Sequence, residues 1–362
     1  MRRMGKITAL AAVAVLALAG CGSDDDSDGG DDNNAGSGGN ALDCSAADGD
    51  GPKVGIAYDV GGQGDKSFND AAAVGVKKAV DDLGATCTEA EATDGEAESA
   101  REDRLRQLAD GGHNPILAVG FLYSEAVNKV APDYPDISFD VVDGFDPDDE
   151  ANDNVAYLGF AEEQGSFLVG VAAATKSEAG NVGFVGGVNS DLIKKFEAGF
   201  TAGAKAVNPD IEIQVKYLQE SDPKGFNDPA AGKATATGMY DQGADIVYHA
   251  SGGSGAGVFQ AAVEAGDGKW AIGVDSDQWQ TASETEQAHI LTSMLKRVDV
   301  AAFDAISAVD KGEPLVSYQV YDLKVDGVGY STSGGFVDDI TGDIDGYADQ
   351  IKSGEITVPT AP

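Results

Sequence analysis

The sequence predicts an α/β protein of two similar lobes, each a doubly wound parallel sheet. Three observations carry that prediction. From residue 53 onward, short β-rich runs alternate with segments of helical period, the pattern of parallel strands joined by crossover helices. The alternation comes in two successive sets of four or five units. The chain has 362 residues, 42% of them hydrophobic, enough for two cores at about 100–200 residues per domain.

Residues 1–20 read as a leader peptide outside the fold. Arg2, Arg3 and Lys6 precede an apolar run over residues 7–19 that is broken only by Thr8. That run is shorter than the about 20 residues a spanning helix requires. It ends in LAGC at residues 18–21. Small residues before a cysteine resemble a bacterial lipobox, in which Cys21 is lipidated and becomes the mature N-terminus. An ordinary signal peptide with an incidental cysteine is the alternative. Two or three acyl chains, at about 0.8 kcal/mol per buried methylene, anchor a protein stably. Residues 21–51 are rich in Gly, Ser, Asn and Asp and hold no Lys or Arg; they read as a disordered acidic tether.

The chain carries 62 acidic against 24 basic side chains, for a formal charge of −38. Leader and tether account for little of it, and about −32 remains on residues 51–362. Such a field repels a phosphate backbone, and no basic stripe offsets it, so nucleic acid is excluded as a partner. It also favours a soluble monomer.

The elements follow in order. KVGIAY (53–58) reads as a buried strand, followed by the Gly-rich turn DVGGQGDKS. FNDAAAVGVKKAVDDLG then places Ala72, Val76, Ala79, Val80 and Leu83 at helical spacing, with Ser67 as N-cap and Asp70 as its capping acid. TCTEAEAT is a strand and SAREDRLRQLADGG a helix; PILAVG, DISFDVVD and NVAYLGF are strands, with SEAVNKVAPDY helical between the first two. The second set opens with helix EEQGSFLVGVAAATKS and strand NVGFVGG, then helix DLIKKFEAGFTAGAKAVNP and strand IEIQVKYLQ. Helix DPAAGKATATGMYDQG, strand ADIVYHAS, helix SGAGVFQAAVEAG and strand WAIGVDSD follow. LTSMLKRVDVAAFDAISAVDKG reads as one long helix and VSYQVYDLKVDGVGYS as a returning hairpin. Cys44 precedes the first strand and Cys87 starts the second. If these strands are parallel neighbours, their starts share one edge, which permits a Cys44–Cys87 disulfide; two free thiols are the alternative.

In such sheets a ligand sits beyond the carboxyl ends of the strands. That rule selects residues 59–69, 120–125, 186–196, 221–228, 251–257 and 275–278. Together with Lys296 they offer rings (Phe68, Phe121, Phe196, Phe226), carboxylates (Asp59, Asp65, Asp275, Asp277) and the amides of Asn69 and Gln278. Flat rings beside acceptor-only carboxylates suit a heteroaromatic or sugar ligand with several hydroxyl or amino donors. Catalytic readings lack their parts. His113, His249 and His289 have no zinc-ligand spacing, and neither a GxSxG elbow nor a P-loop occurs. No metal and no cofactor is expected.

Several segments in this order resemble the basic membrane protein (BMP) family, the purine nucleoside receptor type of ABC-importer lipoprotein. They include VGIAYDVGGQGDKSFNDAAAVGVKKA, FAEEQGSFLVGVAAA, ADIVYHASGGSGAGVF, GVDSDQ and TSMLKRVD, and the likeness covers nearly all of residues 53–358. The resemblance implies a type I periplasmic-binding-protein fold, with the two lobes joined by a three-crossing hinge. It implies lobes of residues 52–157 plus 280–316 and 158–279 plus 317–362. It also implies a nucleoside, purine foremost, in the cleft, ABC permease and ATPase subunits as partners, and no catalysis. The protein would sit on the extracytoplasmic face of the cell membrane through its lipid anchor. By the same resemblance Asp59, Phe68 and Asn69 contact the ligand from the first loop, Phe226 supplies the second stacking ring and Phe196 the pocket wall. Asp275 and Lys296 bind ribose, and Gly253 brings backbone close. The family's carboxylate after the third strand falls on Glu125. A pentose-binding protein of the same fold and a nucleoside-processing enzyme using Asp59 and Asp275 are the alternatives.

Overall fold

The computed structural model describes residues 42–147 and 152–362. The expected leader and Cys21 lie outside them. The first half runs β1 (Lys53–Tyr58), α1 (Phe68–Leu83), β2 (Thr86–Glu91), α2 (Glu98–Asp110), β3 (Ile116–Val119), α3 (Ser124–Val130), β4 (Phe139–Val142) and β5 (Val155–Phe160). The second runs α4 (Glu162–Lys176), β6 (Asn181–Val188), α5 (Asp191–Val207), β7 (Glu212–Gln219), α6 (Pro229–Asp241), β8 (Ile246–Ala250), α7 (Gly255–Ala265) and β9 (Trp270–Asp275). Then come α8 (Glu284–Gln287), β10 (Ile290–Lys296), α9 (Val298–Asp310), β11 (Ser317–Tyr321), β12 (Val328–Tyr330) and α10 (Thr341–Ser353).

These strands build two six-stranded sheets, ordered β11-β5-β4-β3-β1-β2 and β12-β10-β9-β8-β6-β7. Every pairing is parallel except β10 with β12. Helices cover the sheets, so central strands such as Ile116–Val119 are fully buried, which explains their unbroken apolar runs. Each such side chain contributes about 1.5–3 kcal/mol on burial.

The structure corrects the expected lobes. The first lobe holds β1–β5, then α9 and β11; the second holds β6–β10 and β12. The chain therefore crosses at Ala161, Arg297 and Asp322. The segment expected as one long helix is strand β10 followed by α9. The seven residues of β10 lie between β9 and β12 and are almost wholly buried. A short apolar run buried on both faces has no period that separates strand from helix. The expected hairpin is two strands in different sheets, β11 beside β5 and β12 beside β10. Gly75 shows why α9 belongs to the first lobe. A Cβ there would stand 2.4 Å from the Asp299 carbonyl oxygen, so α1 and α9 touch backbone to backbone.

The expected tether ends earlier than residue 51. Leu42 is buried in the core, and the Gly51 amide donates to the Gly84 carbonyl at 2.8 Å. Cys44 and Cys87 form a disulfide. Lys53 pairs with Thr86 at the start of both strands, so the bridge sits at the amino edge of the sheet.

Candidate functional site

A cleft of about 580 Å³, its open mouth included, lies at the carboxyl ends of both sheets. Asp59, Phe68, Asn69, Phe196, Phe226, Gly253, Asp275 and Lys296 all line it. Glu125 does not. It is exposed on α3, one turn beyond the loop after β3. A further carboxylate that lines the cleft is Asp143, at φ 60° just after β4. The post-strand rule applied to DISFDVVD selects this residue, which the sequence reading left out. That segment reads only as a strand, and its last residue is where it turns into the cleft.

The first loop is organised by Asp65. Its carboxylate accepts from the amides of Ser67 (2.9 Å), Asn69 (2.9 Å) and Asp70 (3.2 Å), and from the Asn69 side chain at 3.0 Å. It thereby takes the capping role expected of Ser67, whose hydroxyl makes no cap. Asn69 in turn accepts from the Asp59 amide at 3.0 Å, which fixes the carboxyl end of β1 to the start of α1. Asp59 fits only because residue 120 is glycine. Gly120 has φ +104°, and a Cβ there would fall 2.1 Å from Asp59 Oδ2.

Lys296 ends β10 and is 2% exposed. Its Nζ donates to Asp143 Oδ2 at 2.6 Å and lies 3.3 Å from Glu162 Oε1. The rings of Phe68, Phe160 and Phe196 stand 5.2, 5.0 and 5.4 Å from the ammonium, close enough for cation–π attraction. Burial alone would lower its pKa, but Asp143, Glu162 and Asp275 outweigh burial and hold it above the ordinary lysine range. The carboxyls pay no such dividend. Burial pushes Asp143 up to about 7 despite Lys296, and pushes Asp59 and Asp65 up to about 6. Burial also raises Asp275, against the pull of Lys296 and the Ser67 hydroxyl.

The lobes meet along one edge of the cleft. Ser67 Oγ donates to Asp275 Oδ2 at 2.7 Å, and Ser276 Oγ donates to the Ser67 carbonyl at 3.1 Å. Gln278 Nε2 donates to the Lys66 carbonyl, and Lys66 Nζ to the Thr281 carbonyl, both at 3.0 Å. Gln278 Oε1 lies 3.0 Å from His249 Nε2. Burial lowers that imidazole to about 4, and it lies outside the cleft lining. The site thus offers rings, acceptors and a cation whose charge is met by carboxylates, which is equipment for holding a polyhydroxylated or heteroaromatic solute.

A family model described as Bmp, ABC transporter substrate-binding protein PnrA-like, matches residues 53–361. The chain belongs to the Bmp family. It is similar to the CD4+ T-cell-stimulating antigen of Listeria monocytogenes, with 35% identity over 85% of this chain and 88% of that relative. It is also similar to the ABC transporter nucleoside-binding protein BmpA of Lactococcus lactis, 30% identical over 99% of each chain. Among solved structures, an ABC transporter solute-binding protein from Aeropyrum pernix K1 aligns with a TM-score of 0.73 and 29% identity. That alignment covers 85% of this chain and 93% of the other. As a Bmp family member the chain is an ABC transporter substrate-binding protein, not an enzyme, and its lobes form the type I periplasmic-binding fold. Among the described residues, no helix is long and apolar enough to cross a membrane.

Proposed function

We propose that the protein captures nucleosides, purines foremost, in the interlobe cleft and hands them to an ABC permease powered by its ATPase. The supporting observation is that one cleft is lined by Phe68 from the first lobe, Phe226 from the second, and several buried carboxylates. Two rings on opposing lobes suit a flat base between them, and stacking tolerates different bases. Asp275 and Lys296 would take the ribose hydroxyls, Asp59, Asn69 and Asp143 the remaining donors, with Phe196 as wall and Gly253 as close backbone. The name printed for the Lactococcus relative points the same way.

Lys296 also bears on what is refused. Its charge is already met by Asp143 and Glu162, so a nucleotide phosphate would find carboxylates and no free cation. On this reading the protein acts at the extracytoplasmic face, held by acyl chains on Cys21. Mass spectrometry of small molecules released from the purified, heat-denatured protein tests the assignment. A purine nucleoside is expected, and a different solute class in stoichiometric amount would overturn it.

A further inference from the structure

Glu162 is the first residue of α4, immediately after the first crossing between lobes, and its side chain is 1% exposed. It does not line the cleft. One oxygen, Oε2, accepts from Lys195 Nζ of α5 at 3.2 Å. The other, Oε1, stands 3.3 Å from Lys296 Nζ and has no hydrogen-bond donor. A buried carboxylate with one oxygen left to a charge contact depends on that contact to offset its desolvation.

The two carboxylates closest to Lys296 come from different lobes. Asp143 follows β4 in the first lobe, whereas Glu162 opens α4, which packs on β10 and β12 in the second. Lys296 ends β10, so Glu162 and Lys296 belong to one rigid lobe. When the lobes part about their hinge, the Asp143 contact stretches and the Glu162 contact travels with the lysine. Among the described residues, the charged groups facing the ammonium are Asp143 after β4, Asp275 at the end of β9 and Glu162 on α4, with Lys195 behind Glu162 on α5. The rings of Phe68, Phe160 and Phe196 fill the rest of its surroundings.

We propose that Glu162 is the positioning residue for Lys296: it keeps the ammonium aimed into the cleft while the lobes are apart, so that of its two closest carboxylates opening and closing exchange only Asp143. Without Glu162, Lys296 would keep only the more distant Asp275 of its own lobe, and the ammonium would turn toward solvent whenever the cleft opened. The inference rests on the solute-capture reading, since it assigns Glu162 a part in readying the site for ligand.

The test uses the full-length protein with Glu162→Gln and Glu162→Asp, and inosine as probe. The first readout is the 15Nζ resonance of Lys296 in ligand-free protein, titrated with pH. The second is the inosine dissociation rate by stopped-flow. In Glu162→Gln the Lys296 titration should fall to or below the ordinary lysine value of about 10.4. Inosine release should be about tenfold faster or more, as when one partner of a buried charge pair is truncated. Glu162→Asp keeps the charge at shorter reach and should fall between. Should Glu162→Gln not fold, the aspartate variant decides. Unchanged Lys296 titration and unchanged release in a folded variant overturn the proposal. If the unaltered protein does not bind inosine, the nucleoside reading fails. The ligand-free titration still decides the role of Glu162.

Discussion

Ser67 and Asp275, 208 residues apart in sequence, meet across the cleft through a hydrogen bond of 2.7 Å between Oγ and Oδ2. One partner begins the first helix of the first lobe; the other ends a strand of the second and lines the cleft. Lobe closure and an acceptor of the site are therefore joined in one contact. Asp275 keeps a left-handed backbone, φ 65°, to make it.

Removing that hydroxyl should weaken the closed state without disturbing either lobe. A hydrogen bond to a charged group contributes about 1.5–3 kcal/mol. Ser67→Ala is expected to raise the nucleoside dissociation rate about tenfold or more, with little change in association rate or in melting of the ligand-free protein. Stopped-flow fluorescence reads both rates, and an unchanged dissociation rate counts against the latch.

The two rings separate a base from a sugar. Phe68→Ala and Phe226→Ala should each cost about 1–3 kcal/mol of nucleoside affinity. Any weak binding of free ribose should be nearly unaffected. Equal losses for both ligands in calorimetry would favour the pentose reading.

The acids set a pH dependence with opposite signs for stability and binding. Burial raises Asp140 and Asp143 to about 7, and Asp59 and Asp65 to about 6, all from 3.8. A raised carboxyl binds more protons folded than unfolded. Its contribution to stability is therefore complete below the unfolded pKa and lost as pH rises through the folded one. Taken alone, these groups make the ligand-free protein more stable as pH falls from about 7 toward about 4. Ligand hydroxyl and N–H donors need the ionised carboxylates, so nucleoside affinity should fall over the upper part of that window. Melting temperatures and calorimetric affinities between pH 5 and pH 8, at about constant ionic strength, check both signs.

Replacing both Cys44 and Cys87 by serine should destabilise the protein and leave its affinity alone. The bridge closes a loop with a sequence separation of 43, for which about 3–4 kcal/mol is expected. It lies at the amino edge of the first sheet, the end away from the cleft. Chemical denaturation and calorimetry on the double variant measure the two quantities.

Strand identity and the cleft were legible where local pattern decides structure. Runs such as KVGIAY and ILAV have the density of buried parallel strands, and the rule that ligands lie beyond strand ends selected most of the residues that share one cleft. The misreadings fall where tertiary neighbours decide. ILTSMLK is a strand because β9 and β12 flank it, which no window of sequence contains. Ser67 leaves its expected cap because Asp65 already holds the helix start and Asp275 waits across the cleft. Asp143 and Glu162 matter through a lysine 153 residues from the first of them, a distance only folding removes.

Isothermal titration calorimetry of the ligand-stripped protein with inosine, guanosine, adenosine, ribose and inosine monophosphate tests the central claim most directly. Expected is saturable binding of at least one purine nucleoside at about micromolar affinity or tighter, with ribose and the monophosphate far weaker. No heat with any nucleoside, alongside clear binding of ribose or the monophosphate, would contradict it.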